Sequence, residues 1–415
     1  MSANLTTLSD ILKEYYLGPV AEQLNNEVLL LSRLEARSED LVGKRAYVPL
    51  HHGRSGGIGA RSEGVALPSA GKQDYDKAVY DLKYLYGRVE VTGPSMAKTK
   101  NETGAFLQAL KSELDGIRND LKKDLARQVY GNGGGVVGTV SAGAANSTTV
   151  AIVGSEVIRK GQLYPGFVAT IYDASATADL NNTHTVSAVD LSAGTVTFDT
   201  AVGATFGDGD KIRRAGVAVK TPAEGNTYSL SDEIDGIQRI VADSATALGG
   251  ITPTGANAWW DNQRIAVSGA LSLEAIQKGL NLARIAGGFP TSVITSLGVQ
   301  REFYDLLNQE VQYTNPESLN YAAGFKTLSY NGLPIIADID APYGKMYIMD
   351  ESTMKVFSDQ DWHFLDADGM TLRQVSGHDK FEAIMTRYMN IGATRRNNQV
   401  VLTGITVDAG ADAGF

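Results

Sequence analysis

Residues Lys44–Thr92 read KRAYVPLHHGRSGGIGARSEGVALPSAGKQDYDKAVYDLKYLYGRVEVT. Ala46-Tyr47-Val48-Pro49-Leu50 has the pattern of a short strand, and Tyr75–Thr92 alternates through Val79, Leu82, Tyr84, Tyr86, Val89 and Val91. Between them, His51–Gly71 is rich in Gly, Ser and Arg and has no helical period. The expected unit is two strands joined by a long extended loop. Loops of this length without a core of their own are functional or mobile. A further option is that a neighbouring copy of the chain supplies the missing core. Eight basic residues (Lys44, Arg45, Arg54, Arg61, Lys72, Lys77, Lys83, Arg88) outnumber five acidic ones here (Glu63, Asp74, Asp76, Asp81, Glu90).

On the N-terminal side, Leu5–Val42 reads as helix, interrupted at Gly18-Pro19. Ser9 is its candidate N-cap, and Asp10 sits in the first turn. This arm is acidic, with Glu14 and Glu22 among seven acids against three bases. On the other side, Asn101–Tyr130 carries the strongest helical period of the chain. Phe106, Leu110, Leu114, Ile117, Leu121, Leu125 and Val129 recur at steps of three and four. Gly131-Asn132-Gly133-Gly134-Gly135 ends it.

From Val136 to Pro222 the composition turns to Gly, Ala, Thr and Val, with short runs such as Val168–Tyr172 and Thr195–Phe198 between turn signals. This predicts a small all-β domain, a sandwich or barrel, inserted into a mixed body. Beyond it helix and strand signals alternate. Ser231–Asp243, Ser272–Ala286 and Val299–Leu307 read as helices, and Ser292–Thr295, Leu333–Ala337 and Met346–Met349 as strands. The fold class read from this order is α+β.

The 415 residues are 43% hydrophobic and 20% charged, enough for a folded core of two or three domains. No cysteine is present, which excludes disulfides, thiolate catalysis and Cys-based metal sites. The net charge of −10 is the wrong sign for a general nucleic-acid binder. No apolar run is long enough to cross a bilayer, and the start lacks the basic and apolar regions of a signal peptide, so folding in a cytoplasm is expected.

Enzyme motifs do not assemble. Gly133-x-Gly135-x-x-Gly138 matches a dinucleotide fingerprint as text, yet it follows a helix instead of opening one, so the glycines read as a helix stop and hinge. The five histidines, His51, His52, His184, His363 and His378, include no pair at helical metal-site spacing. Asp208-Gly-Asp210 and Asp366-Ala-Asp368-Gly369 lack the further oxygen ligands of a calcium loop and read as tight turns. No Gly-x-Ser-x-Gly stands on a strand–helix elbow. Trp259-Trp260 reads as cover for an apolar surface. No catalytic residue, cofactor or metal is therefore assigned, and the chain is expected not to be an enzyme.

The order of parts resembles the major capsid proteins of tailed bacteriophages: arm, extended loop, spine helix, β insertion, α/β body, closing strands. Local sequence carries the resemblance further. Arg61-Ser-Glu63-Gly64-Val-Ala-Leu67-Pro68 with Ala70-Gly71 looks like the loop tip of that family, and Gln128-Val-Tyr130-Gly131-Asn132-Gly133 like its spine-helix exit. Gly324-Phe325 through Tyr330–Asp338 resembles the axial strands, followed by Asp340-Ala341-Pro342-Tyr343-Gly344. Trp362, Asp368-Gly369, Arg373, Asp379–Ala383, Tyr388 and Arg395-Arg396-Asn397-Asn398 complete the set.

The resemblance implies a division into an N-terminal arm (1–43), an extended loop (44–92), a spine helix with peripheral segment (93–135), the inserted β domain (136–222), an axial domain (223–345) and peripheral strands with the C-terminus (346–415). It implies a structural subunit of the virion. Hexamers and pentamers would close into an icosahedral shell around DNA, held without sequence specificity and without a membrane, after assembly in the host cytoplasm. A separate scaffolding protein, a portal and a decoration protein are the other implied partners. The alternatives are another particle component, in the tail or as decoration, or the shell of an enzyme-filled compartment. Arg54, Arg61, Glu63, Lys72, Lys77, Glu14, Glu22, Arg395 and Arg396 are the candidate inter-subunit contacts. Some members of the family join a loop lysine to an asparagine, and Lys72 or Lys77 with Asn390, Asn397 or Asn398 are the candidates here.

Overall fold

Strand Arg45–His51 pairs antiparallel with Tyr75–Asp81, Arg45 opposite Asp81 and His51 opposite Tyr75. Alternate side chains of such a ribbon face one way. Ala46, Val48, Leu50, Ala78 and Tyr80 make that inner face and are buried. This is a computed structural model. It describes residues 29–37, 41–93, 103–142, 146–154, 156–173, 179–203, 206–216, 219–220, 230–242, 246–310, 328–366 and 372–407. The expected arm helix up to Val28, Gly324-Phe325 and Asp368-Gly369 lie outside the described residues.

The run Tyr75–Thr92 is not one strand. The chain changes sheets at Leu82, whose N–H donates to Lys44 O at 3.0 Å. Lys83–Thr92 then runs antiparallel to Lys380–Ala393, with Lys83 opposite Met389 and Thr92 opposite Lys380. Buried positions show the reason. They are even-numbered up to Leu82 and odd-numbered from Lys83 through Leu85, Gly87 and Val89. A one-residue change of parity turns every following side chain to the opposite face.

Lys380–Ala393 is the centre of a five-stranded sheet with Met354–Phe364, Arg373–Gln374, Glu35–Arg37 and Lys83–Thr92. The helix Thr103–Val129 lies against it, with Leu114, Leu125, Ala126 and Val129 buried. Contact is closest at Gly87, where a Cβ would stand 2.6 Å from Leu121 and 3.0 Å from Ile117. Among the described residues of the expected helical arm, helix spans Leu29–Arg33, and strands Glu35–Arg37 and Leu41–Val42 follow in place of the helix read as far as Val42. Pairing with Met354–Phe364 and Arg45–His51 overrides local helix preference there.

Val136–Ala142, Thr149–Ile152, Val168–Tyr172, Asp179–Asp190, Thr195–Phe198 and Lys211–Arg214 form a closed barrel. Closure removes exposed strand edges. The barrel has its own apolar cluster, including Val140, Val150, Phe167, Ile171, Val196, Phe198 and Ile212. At Asp208-Gly-Asp210 the Asp210 carboxylate accepts from Gly207 N at 2.8 Å, which makes a turn.

A six-stranded sheet has the order Gln263–Gly269, Val400–Ile405, Met346–Met349, Ser292–Thr295, Leu333–Ala337, Ser329–Tyr330. Met346–Met349 and Ser292–Thr295 are buried on both faces, which suits the continuous run of large side chains in the first and the apolar Val293-Ile294 centre of the second. Helices Leu273–Ile285 and Leu297–Glu310 accompany the sheet. Ser272 caps the first by accepting from Ala275 N at 3.1 Å. The helix expected over Ser231–Asp243 is confined to Ile237–Ile240. Gly236 is pressed against the exit of the long helix, where a Cβ would stand 2.4 Å from Gln128 O, and Glu233 is taken into an ion pair with Arg127.

Polar contacts tie the barrel to the body across a cavity of about 380 Å³. Arg214 lies 3.8 Å from Asp124 of the long helix, and Lys160 donates to Ala341 O at 3.1 Å. Burial pushes the Asp124 carboxyl up, but Arg127 and Arg214 outweigh it and leave it below its ordinary value. Asp340, on the cavity wall, is raised by burial and then by the neighbouring Asp338, which accepts from the Tyr130 hydroxyl at 2.6 Å. A carboxyl raised in the fold penalises the folded state above that raised value. The penalty vanishes below the ordinary value, where both states are protonated. Asp340→Asn therefore raises the unfolding temperature at neutral pH, and the gain disappears on acidification. Scanning calorimetry at several pH values checks this, and an equal gain in acid contradicts it.

Candidate assembly surface

The hairpin is anchored at its base and bare at its tip. At the base, the Tyr80 hydroxyl donates to Ala393 O at 2.8 Å and accepts from Ala393 N at 3.1 Å. Burial holds that hydroxyl well above its ordinary range, so it remains a donor. The ring stacks on Phe357 at 5.2 Å and lies over Gly392, where a Cβ would be 2.7 Å from it. Val79 N donates to Gly249 O at 2.9 Å. A Cβ on Gly249 would stand 2.7 Å from that of Ala78, and its φ of +62° also favours glycine. Further out, the His52 ring stacks on Trp259 at 4.3 Å, nearly parallel.

Beyond His52 the two arms of the loop touch backbone to backbone. A Cβ at Gly71 would stand 2.6 Å from Gly56 N, and one at Gly57 would stand 3.0 Å from Gly71 N. Glycines at these places leave no room for a side chain between the arms, so the ribbon has no interior. Its apolar side chains face outward: Ile58 is 69% exposed, Val65 56% and Leu67 85%.

Arg54, Arg61, Glu63 and Lys72 are exposed on this ribbon, and Lys77 is exposed on its second strand. Arg61 donates to Ala60 O at 3.4 Å, Lys72 pairs with Asp74 at 3.6 Å, and Lys77 lies 5.9 Å from the Tyr47 ring. Glu14 and Glu22 fall outside the described residues. Arg395 is exposed away from the hairpin and donates to Gly287 O at 2.7 Å. Arg396 is a correction. It is wholly buried and donates to Ile240 O at 2.7 Å and Thr246 O at 2.9 Å, so it is not an inter-subunit contact. Burial lowers it to about 10.

The lysine–asparagine pairing is corrected in the same way for two of its three asparagines. Asn390 and Asn398 have no exposed surface. Asn390 donates to Asp81 O at 2.8 Å, and Asn398 donates to Asp350 at 2.9 Å. A lysine from another copy has no path to either. Among the candidates, the charged residues were legible in the sequence. The apolar Ile58, Val65 and Leu67 were not singled out as contacts, although large apolar residues inside a Gly/Ser-rich loop are the signal that marks them.

No family model matches the chain, and no curated protein matches its sequence. Solved structures do match. The capsid asymmetric unit of cyanophage A-1(L) aligns over 92% of this chain and 93% of its own, at 13% identity and a TM-score of 0.53. The capsid of a native GTA particle aligns over 92% and 91%, at 10% identity and 0.48. The holo-SrpI encapsulin complex from Synechococcus elongatus aligns over 92% and 89%, at 9% identity and 0.46. The cyanophage alignment carries the fold assignment, because it spans nearly all of both chains at the higher score. With the projecting hairpin, the long helix and the two sheets in place, the chain has the tailed-phage major capsid fold.

Proposed function

We propose that the chain is the shell-forming subunit of a tailed-phage head, assembling with itself as hexamers and pentamers into an icosahedral particle around double-stranded DNA. The supporting observation is the ribbon from Gly53 to Asp74, whose backbone-to-backbone closure leaves Ile58, Val65 and Leu67 exposed. Such a ribbon gains its packing only on another molecule. In a ring or shell, that means one patch of each copy meeting a different patch of the next. The exposed charges on the ribbon guide and orient this contact, while each exposed ion pair contributes only about 0–1 kcal/mol. The net charge of −10 keeps the inner wall from gripping the packaged phosphates.

On this reading the helix Thr103–Val129 is the spine. The five-stranded sheet is the peripheral domain, the six-stranded sheet the axial domain, and the barrel an insertion on the particle surface. A scaffolding protein, a portal and a decoration protein are the other expected partners.

Negative-stain microscopy of the expressed chain, alone and with the scaffolding protein, tests the reading. Closed particles or capsomers are expected, with DNA as the cargo of the mature form. A monodisperse monomer under both conditions overturns it. Particles that enclose an enzyme instead of DNA reassign the chain to a compartment shell.

A further inference from the structure

Among the described residues, no hydrogen bond, ion pair or ring contact joins Gly53–Asp74 to the body of the chain. The outermost contact of the hairpin is one ring on another. His52 lies on Trp259 with centroids 4.3 Å apart and planes 4° from parallel. The two sides of this stack are built differently. Trp259 belongs to the short helix Gly255–Trp260, which is closed by Asp261 N donating to Ala258 O at 3.2 Å. The neighbouring Trp260 is buried and donates its Nε1–H to Leu248 O at 3.1 Å, with the two indoles 5.6 Å apart. Gly249, next in the chain to Leu248, is the residue whose carbonyl accepts from Val79 N. One stretch, Leu248–Trp260, therefore holds the hairpin twice. It grips the edge at Val79 and meets the inner face at His52, which continues the parity of Ala46, Val48 and Leu50.

On the ribbon side the regular ladder stops at the stack. His52 N and Gly53 N both donate to Asp74 O, at 3.1 and 3.2 Å. A Cβ on Gly53 would stand 2.4 Å from Asp74 Cβ, so the arms close here with nothing between them. The geometry is that of a lever. Val79 pairs with Tyr47, five positions before His52, so the two grips are roughly 17 Å apart at about 3.3 Å per residue. The turn at the tip, where Val65 N donates to Ser62 O, lies at most about 35 Å beyond His52. With the Val79 grip as fulcrum, a shift of about 1 Å at the stack swings the tip by about 3 Å. Packed apolar contacts register a change of a single methylene, so a swing of that size takes Ile58, Val65 and Leu67 out of any fitted surface.

We propose that His52 is a positioning residue, whose stack on Trp259 sets the pitch at which the ribbon presents Ile58, Val65 and Leu67 to the next copy. The inference rests on the shell-subunit reading above. Both rings are only half-buried, so removing the imidazole opens no enclosed cavity and leaves the core of the subunit as it was. Its loss falls instead on the direction of the ribbon, because nothing further out on the described chain holds it. The face of the ring does this work and its nitrogens do not, so another flat ring at position 52 serves as well.

The chain has no cysteine, so spin labels on Ser62→Cys at the tip and Lys278→Cys on the exposed side of helix Leu273–Ile285 report without background. Their distance distribution is measured by pulsed electron resonance on full-length, unassembled subunits carrying His52, His52→Ala or His52→Phe. Unfolding temperature and particle yield are measured on the same three chains without labels. His52→Ala is expected to widen the distribution by about 3 Å or more. It is also expected to lower the particle yield roughly tenfold, the loss of one stacked pair, at an unchanged unfolding temperature. His52→Phe restores both the width and the yield. Equal widths in all three chains overturn the proposal, as does a widened His52→Ala that assembles at full yield. A fall in unfolding temperature that accounts for the lost yield makes His52 a structural residue and overturns it too. A loss that His52→Phe does not restore assigns the effect to the ring nitrogens, against the stack. Absence of particles from the chain with His52 strikes the shell reading itself, and the distances then still decide whether the stack holds the ribbon.

Discussion

Replacing Ile58, Val65 and Leu67 with aspartate leaves the subunit folded and abolishes its assembly. These side chains contribute nothing to the core of their own chain, since all three are more than half exposed. The unfolding temperature therefore stays where it was. Between copies the sum is different. Fully burying one such side chain contributes about 1.5–3 kcal/mol, so three contribute about 5–9 kcal/mol per ribbon. Each 1.4 kcal/mol is a factor of ten, so the loss weakens a single contact by at least roughly a thousandfold. Sedimentation velocity should show subunits or small oligomers in place of particles. If the triple variant still forms particles at wild-type yield, the ribbon is not an assembly element. If it fails to fold, the ribbon has an intramolecular role that the exposed surfaces do not show.

The largest effect on stability is expected at Tyr80. Removing its ring opens a cavity against Phe357 and Gly392, at about 3–5 kcal/mol for an aromatic-to-alanine change. The substitution also strands Ala393 N and O, each bonded to the hydroxyl and each costing about 1–3 kcal/mol when left unpaired. Tyr80→Ala thus loses a large part of the 5–15 kcal/mol that stabilises an ordinary fold. Tyr80→Phe keeps the ring and loses only the two hydrogen bonds, so it costs about 2–6 kcal/mol. Urea unfolding of both variants gives the comparison, and equal losses refute the cavity argument. The pH sign follows from burial. The folded hydroxyl ionises above the ordinary tyrosine value of 10.0, so its contribution is complete below that value and declines as the pH rises past it, when the unfolded chain ionises first.

Periodicity made much of this fold legible. Helix Thr103–Val129, helix Leu273–Ile285 and strands Val168–Tyr172 and Thr195–Phe198 fall where the alternation of residue types places them. What escaped was set by contacts distant in sequence. Glu35–Arg37 becomes a strand because residues more than three hundred positions away offer it a partner. Ser231–Asp243 loses most of its helix to the exit of another helix. Arg396 reads as a surface cation from its neighbours Arg395 and Asn397, and only the assembled fold brings Ile240 and Thr246 carbonyls around it. The sheet change at Leu82 was hidden in the sequence, because Tyr84 and Tyr86 continue the even alternation while two of the odd positions that become buried are Lys83 and Gly87. For the candidate surface, composition marked the loop and its charges, while the geometry identified the apolar side chains and the backbone closure that exposes them.

The hand-over at Leu82 has a mechanical consequence. One strand of the projecting ribbon passes, without an intervening loop, into the edge of the sheet that lies on the long helix. A sideways push on the far end has no slack to take it up. It arrives as torque at a single residue, pinned there by its bond to Lys44 O. In the proposed shell, each subunit is thereby geared to its neighbours, and the angle at which one copy leans is passed on to the next as a twist of its own frame.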